Sequence, residues 1–239
     1  MVRLHLPQPL AADATLLPSL DQSRYLTQVM RLKSGDPVHV FNGVDGEWRC
    51  VISEILKKGA VLRAGAKVRD QVSPPDVELL IAVVKKSALE FAVEKATELG
   101  VACVRLVVTR RTQVQHVRLD RLDAIAIESA EQTGRLDVPP VEGPTPLADL
   151  LDAWDPERQL MFCDETGGAP AIGALTGMPP GPWALLIGPE GGFSPEERDR
   201  LRSLPFTTAV SLGPRVLRAD TAATAALTLW QAAAGDWAR

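Results

Sequence analysis

Two segments in the last third of the chain concentrate the residues best suited to hold a ligand through main chain and charge together. The first reads Leu185-Leu186-Ile187-Gly188-Pro189-Glu190-Gly191-Gly192-Phe193-Ser194, and the second Val210-Ser211-Leu212-Gly213-Pro214-Arg215-Val216-Leu217-Arg218-Ala219-Asp220-Thr221-Ala222. Each is a short apolar run, a turn rich in Gly and Pro, and then a helix start, the arrangement at which α/β proteins place ligands. Glycine lets the main chain come close to a ligand and leaves N–H and C=O groups bare, which suits the edge of a purine. The first segment lacks the Lys-Ser/Thr ending of a P-loop and the spacing of a dinucleotide fingerprint, which argues against a nucleoside triphosphate. Ser194-Pro195-Glu196-Glu197 supplies an N-cap, a proline for the first helical position and early acidic residues, so helix capping accounts for it. Arg215 and Arg218 follow the Gly213-Pro214 turn on what should be an exposed bend, where phosphate, Asp220 or a neighbouring carboxylate can pair with them.

The elements that must position these loops follow from periodicity. From Pro37 to Val68 the pattern is that of strands: Val38-His39-Val40-Phe41 alternates, Asn42-Gly43 and Asp45-Gly46 signal turns, and Glu47 to Ile52 and Ala60 to Arg63 follow. A small barrel or curled sheet closes such strands, and Val72-Ser73-Pro74-Pro75-Asp76 marks a boundary, giving domains 1–72 and 73–239. Beyond it, Val77 to Val84, Val101 to Val108, Leu160 to Cys163, Trp183 to Ile187 and Thr208 to Leu212 read as buried strands. Ser87 to Leu99, Leu119 to Thr133 and Thr221 to Ala234 read as helices, the first ended by Gly100. Apolar strands interleaved with amphipathic helices predict an α/β fold with a mostly parallel sheet covered on both faces.

Bulk properties narrow the function classes. The 239 residues are 46% hydrophobic, enough for a substantial core, and the net charge of -4 argues against indiscriminate coating of nucleic acid. Local basic groups such as Arg24, Arg31 and Lys33, or Arg110-Arg111, still leave room for a structured RNA partner. No run of about 20 apolar residues and no signal-like segment is evident, so the cytoplasm is the expected compartment and no membrane partner is expected. Cys50, Cys103 and Cys163 are dispersed among apolar neighbours and read as buried free thiols; with no C-x-x-C or paired His spacing, no metal is expected. His5, His39 and His116 are unclustered, which argues against a catalytic histidine.

Taken together, the two loops strongly resemble those of the trefoil-knotted SPOUT methyltransferases. Within that group they resemble the ribosomal RNA small subunit methyltransferase E family, with its Ile-Gly-Pro-Glu-Gly-Gly-Phe and Leu-Gly-X-Arg-Ile-Leu-Arg-X-Glu-Thr-Ala segments. The likeness extends through Arg24-Tyr25-Leu26, Val29-Met30-Arg31-Leu32, Glu94 to Gly100, Glu131-Gln132-Thr133-Gly134-Arg135 and Pro139-Pro140-Val141. It departs at Val216 for Ile, at Asp220 for a longer Glu, and at Arg110-Arg111-Thr112 where members usually read Glu-Arg-Ser.

The resemblance implies a C-terminal trefoil-knotted domain, a PUA-like N-terminal barrel, and a homodimer that uses S-adenosyl-L-methionine to methylate N3 of a uridine in 16S rRNA of the 30S subunit. It implies cofactor contacts from Cys163, Asp164 and Glu165, from Ile187, Gly188, Pro189, Glu190, Gly191 and Gly192, and from Leu212, Gly213, Arg215, Val216 and Leu217. N3 of uridine must lose a proton, and negative charge then gathers on the uracil carbonyls. Arg218 is the expected partner of that charge, with Glu190 or Asp220 assisting proton removal. The same atom lies on the Watson–Crick edge, so the base must be unpaired or flipped. Arg3, Arg24, Arg31 and Lys33 are the expected RNA contacts of the N-terminal domain; Trp48 and Phe41 are expected to pack in its core rather than stack on bases. Two other readings compete: a SPOUT enzyme acting on a ribose 2′-hydroxyl or a tRNA base, and a non-catalytic RNA-binding ribosome-assembly factor.

Overall fold

The computed structural model describes residues 1–113, 116–178 and 181–238. They form two compact units, Met1–Ser73 with Ala130–Val138, and Pro74–Ser129 with Pro139–Arg239. The sequence boundary between 72 and 73 treats the chain as two continuous pieces; the structure adds Ala130–Val138 to the first.

In the first unit, β1 (Arg3–His5), β2 (Thr15–Leu16), β3 (Pro37–Phe41), β4 (Glu47–Leu56) and β5 (Gly59–Arg69) form one sheet in the order β1-β3-β4-β5-β2. Leu4, Leu16, Val38, Val40, Cys50, Ile52 and Leu62 converge in one core, so side chains of all five strands meet, which a flat sheet does not allow. Register shifts between β4 and β5 supply the bend. Helix α1 (Leu20–Arg24) starts at a capping box between Ser19 and Gln22 and runs into a π-helical turn, Tyr25–Val29. The hydroxyl of Ser23 accepts the Ala60 amide and ties α1 to β5.

Arg3 is a correction to the expected RNA contacts. Its guanidinium donates to Glu47 at 2.6 Å, to the carbonyls of Ala130 and Glu131 at 2.8 Å each, and to that of Arg135, and it lies 4.7 Å over the Phe41 ring. Glu47 is buried, with 3% of its side chain exposed, and needs these donors. Arg3 therefore fastens Ala130–Val138 to the sheet, with 12% of its side chain left exposed. Phe41 is buried, and Trp48 packs beside the core with its indole N–H donated to Asp45.

In the second unit the strands are β6 (Val77–Ala82), β7 (Cys103–Val108), β8 (Val141–Pro146), β9 (Gln159–Cys163), β10 (Ala169–Pro170), β11 (Trp183–Ile187) and β12 (Thr207–Ser211). Their order is β10-β12-β9-β11-β6-β7-β8, with every neighbouring pair parallel. The helices are α2 (Lys86–Glu98), α3 (Leu119–Thr133, of which the residues from Ala130 belong to the first unit), α4 (Leu147–Asp152), α5 (Ala171–Leu175), α6 (Pro195–Ser203) and α7 (Ala219–Ala233). All of β11 is buried, and Leu80, Phe162, Leu186, Phe193 and Leu201 share one core, with Phe162 and Phe193 edge to face at 5.0 Å. Helix α2 packs against α7, and Gln231 donates to the Leu99 carbonyl at 2.6 Å. Gly100 ends α2 at φ +80°, as the sequence predicts. Strands β1, β2, β8 and β10 and helices α1, α4 and α5 lack a legible period because they are short or interrupted by Pro and Gly.

Removing Arg3 leaves a buried carboxylate short of its main partner. Arg3→Ala should lower the stability of the first unit by about 3 kcal/mol, read as an earlier first transition in urea unfolding.

Candidate functional site

Because β9, β11 and β12 are parallel, with β9 between the other two, their C-terminal ends lie side by side. The chain turns outward from β6 in one direction to β7 and β8 and in the other to β11, which creates a switch point of strand order. The loops after β9, β11 and β12 enclose a cleft of about 290 Å³. Cys163, Asp164, Glu165, Ile187, Gly188, Pro189, Glu190, Gly192, Leu212, Gly213, Arg215, Val216, Leu217 and Arg218 line it. Three segments far apart in sequence are thus brought together.

Two expected members fall outside the lining. Gly191 turns its carbonyl toward Arg111, whose guanidinium donates to it at 2.9 Å. Asp220, expected to assist catalysis, is absent from the wall formed by Ala219 and Ala222. Its carboxylate accepts the Thr221 amide at 2.7 Å and sits in the first turn of α7, where helix geometry favours a negative charge. Ser211, Pro214, Ala219 and Ala222 also line the cleft, and no side-chain property marks them in the sequence.

The glycines do different work. A Cβ on Gly188 would lie 2.6 Å from the Phe193 ring, so this glycine is required by core packing beneath the loop. Gly192 has φ +67°, and a Cβ there would collide with the Glu165 carboxylate. The Gly192 amide closes a turn onto the Pro189 carbonyl at 2.9 Å.

Charge in the cleft is ordered by α6. Ser194 caps that helix and makes a capping box with Glu197, as the sequence predicts. The same helix also reaches outward, since Arg198 pairs with Glu165 at 3.5 Å and Arg202 donates to Asp164 at 2.7 Å and to the Gly167 carbonyl at 2.6 Å. The capping reading absorbs the acidic residues and says nothing of these arginines. Asp164 has 0% of its side chain exposed. Burial alone would raise its pKa, but the hydroxyl and amide of Thr166 and the Arg202 guanidinium more than offset this and hold it below the usual carboxylate range. Its carboxylate is thereby committed to the loop, and only its main chain is left to face a ligand.

Cys163 is half-buried, and burial pushes its thiol up to about 12, so it stays neutral. Cys50 and Cys103 are buried free thiols. Among the described residues, no group of three or more His, Cys, Asp and Glu could hold a metal ion. Arg215 and Arg218 are exposed at the cleft and, among the described residues, make no side-chain hydrogen bond or ion pair. Glu190 is exposed, with Oε1 3.5 Å from the Lys85 amide. In the first unit, Arg31 and Lys33 are exposed, and Arg24 is exposed while pairing with Asp21 at 3.3 Å.

Comparison with known proteins places this arrangement. Residues 71–231 match the model of an RNA methyltransferase domain, and residues 17–64 that of an RNA methyltransferase PUA domain. Ribosomal RNA small subunit methyltransferase E of Rickettsia conorii is 30% identical over 226 residues, spanning 94% of this chain and 93% of its own. The chain belongs to the ribosomal RNA small subunit methyltransferase E family. Its fold agrees with that of a solved methyltransferase E from Neisseria gonorrhoeae bound to S-adenosyl methionine, at a TM-score of 0.89, 28% identity and 99% coverage of both chains. A Legionella pneumophila methyltransferase in complex with the same cofactor gives a TM-score of 0.88 at 30% identity and 98% coverage of both. Family membership makes the chain an RNA methyltransferase of α/β fold with an N-terminal PUA domain.

Two consequences can be measured. Gly192→Ala should cost about 1–3 kcal/mol of stability, since a left-handed residue is strained and the Glu165 carboxylate must move; thermal unfolding reads it. Asp164 has a folded pKa below its unfolded value of about 3.9, so its stabilisation is complete above that value and lost as pH falls through the folded one. Asp164→Asn should therefore show its largest deficit in melting temperature near neutral pH, narrowing as pH falls toward about 3.

Proposed function

We propose that this chain transfers the methyl group of S-adenosyl-L-methionine to N3 of a uridine in 16S rRNA of the small ribosomal subunit. The observation that carries the reading is the convergence of three strand-end loops on one cleft with the unpaired Arg218 at its edge. The cleft suits the cofactor. Ile187, Leu212, Val216 and Leu217 supply apolar walls, and Gly213, where a Cβ would meet nothing within 4 Å, admits close main-chain approach. When bound, this cofactor supplies an electrophilic methyl group on a sulfonium.

The protein's own groups address the nucleotide. Glu190, whose Oε1 lies 3.5 Å from the Lys85 amide, accepts the N3 proton. Arg218, at the N-cap of the 15-residue helix α7, meets the negative charge on the uracil carbonyls, reinforced by the positive end of the helix. Asp164 is buried, Asp220 lies outside the lining and Glu165 pairs with Arg198 at 3.5 Å, which favours the exposed Glu190 as the carboxylate that meets the substrate. In the PUA unit, Arg24, Arg31 and Lys33 are joined by the exposed Lys57 and Lys58 of the β4–β5 turn as the phosphate-binding set. Family membership supports a cytoplasmic homodimer with a C-terminal knot around the cofactor loops. Among the described residues no helix is long and apolar enough to cross a membrane.

Cofactor loops set against a free arginine favour an enzyme over an assembly factor that only binds RNA, and the PUA unit with its family membership favours rRNA over tRNA. Arg218→Ala should lower the turnover number by about 10²–10³ while leaving the affinity for S-adenosylhomocysteine within about threefold. Tritium transfer to 30S subunits and calorimetry read the two quantities. Reverse-transcription stops on 16S rRNA from a deletion strain should vanish at one uridine and return on complementation; an unchanged pattern of stops would refute the reading.

A further inference from the structure

We propose that Arg111 is a positioning residue that clamps the glycine loop after β11 in its ligand-binding conformation. The inference rests on the reading of the cleft as a cofactor site and adds a part of the machinery that lies outside the cleft wall. Its origin is the turn Thr109–Thr112 at the end of β7. That turn is closed internally: the Thr112 amide donates to the Thr109 carbonyl at 3.1 Å, and the Thr109 amide donates to the Thr112 hydroxyl at 3.0 Å.

From this rigid base two bonds reach the glycine loop at its two ends. At the near end, the Arg111 guanidinium donates to the Gly191 carbonyl at 2.9 Å. The two chains run in van der Waals contact there, since a Cβ on Gly191 would lie 3.5 Å from the Arg111 Cβ. At the far end, the Arg110 amide donates to Glu197 Oε1 at 2.8 Å, while Glu197 Oε2 accepts the Ser194 amide at 2.8 Å. One carboxylate therefore joins the turn to the N-cap of α6. Between these two ties lies Gly192, whose left-handed conformation has no side chain to hold it.

A glycine pair has more conformational freedom to lose than any other dipeptide, so a loop built on it binds weakly unless something outside restrains it. Neither Gly191 nor Arg111 lines the cleft, so Arg111 restrains the loop from outside the ligand's wall. The Arg110 side chain adds only an exposed pair with Glu196 at 3.1 Å, while its amide makes the tie to Glu197. The departure from the family's Glu at this position thus changes a surface pair and leaves the main-chain link in place.

The test is Arg111→Ala, with Arg111→Lys as the conservative partner, both judged folded by circular dichroism. Amide hydrogen exchange of the 188–193 segment should be about tenfold faster in Arg111→Ala without any ligand. The Kd for S-adenosylhomocysteine and the KM for S-adenosylmethionine should rise about tenfold, with kcat reduced by less than about threefold, and Arg111→Lys should recover part of the loss. Exchange and affinity both at the wild-type level would overturn the clamp. Faster exchange with unchanged affinity would also overturn it, since the loop would then be held without consequence for the ligand. Should the wild type itself fail to bind S-adenosylhomocysteine, the cofactor reading of the cleft falls, while the exchange measurement still decides whether Arg111 holds the loop.

Discussion

Everything at the cleft depends on the parallel pairing of β9 with both β11 and β12. Parallel strands end on the same edge of a sheet, so these two pairings deliver the loops at Cys163, Ile187 and Ser211 to one place. A single antiparallel neighbour in this group would send its loop to the opposite edge. The complete burial of β11 and the edge-to-face contact of Phe162 on β9 with Phe193 in the loop after β11 pack these strands and that loop into one core.

Strand pairing brings the loops together but does not shape them. That task falls to α6, which sends Glu197 to the turn after β7, Arg198 to Glu165 and Arg202 to Asp164 and the Gly167 carbonyl. A helix of nine residues thus braces the loops on either side of it. Exposed ion pairs contribute little to stability one by one, but Asp164 is fully enclosed and its bonds hold loop geometry at the floor of the cleft. Among the described residues, the cations that line the cleft both lie in the second loop. Arg215 and Arg218 remain free while the arginines around them are committed, which concentrates available positive charge where an anionic nucleotide would approach.

Much of this was legible in the sequence. Helix α3 occupies Leu119–Thr133 and β11 Trp183–Ile187 as periodicity predicts, and the two glycine loops do flank one cleft. Other features were not legible for physical reasons. Strand β1 has three residues and β2 two, too few to show alternation. Arg3 looks like a surface charge because its partners Glu47, Ala130, Glu131 and Arg135 lie between 44 and 132 positions away. Asp220 reads as a carboxylate inside a ligand loop, yet it belongs to the first turn of α7, where the Thr221 amide takes it up. Gly188 reads as a ligand glycine, and the Phe193 ring beneath it is an equal reason for its presence.

By itself, then, the sequence determined what local chemistry controls: the apolar strands, the capped helices, the glycine turns and the kinds of charge placed after them. Tertiary structure decided which of those charges are free. Asp220 and Asp164 are taken up in part by nearby Thr221 and Thr166, whereas nothing beside Arg3 or Arg218 in the sequence tells which of the two is paired. Only the folded chain brings Arg202 to Asp164 and Glu47 to Arg3 while leaving Arg218 without a partner. Availability of a charge is a property of long-range pairing and burial, and neither is written in the order of adjacent residues.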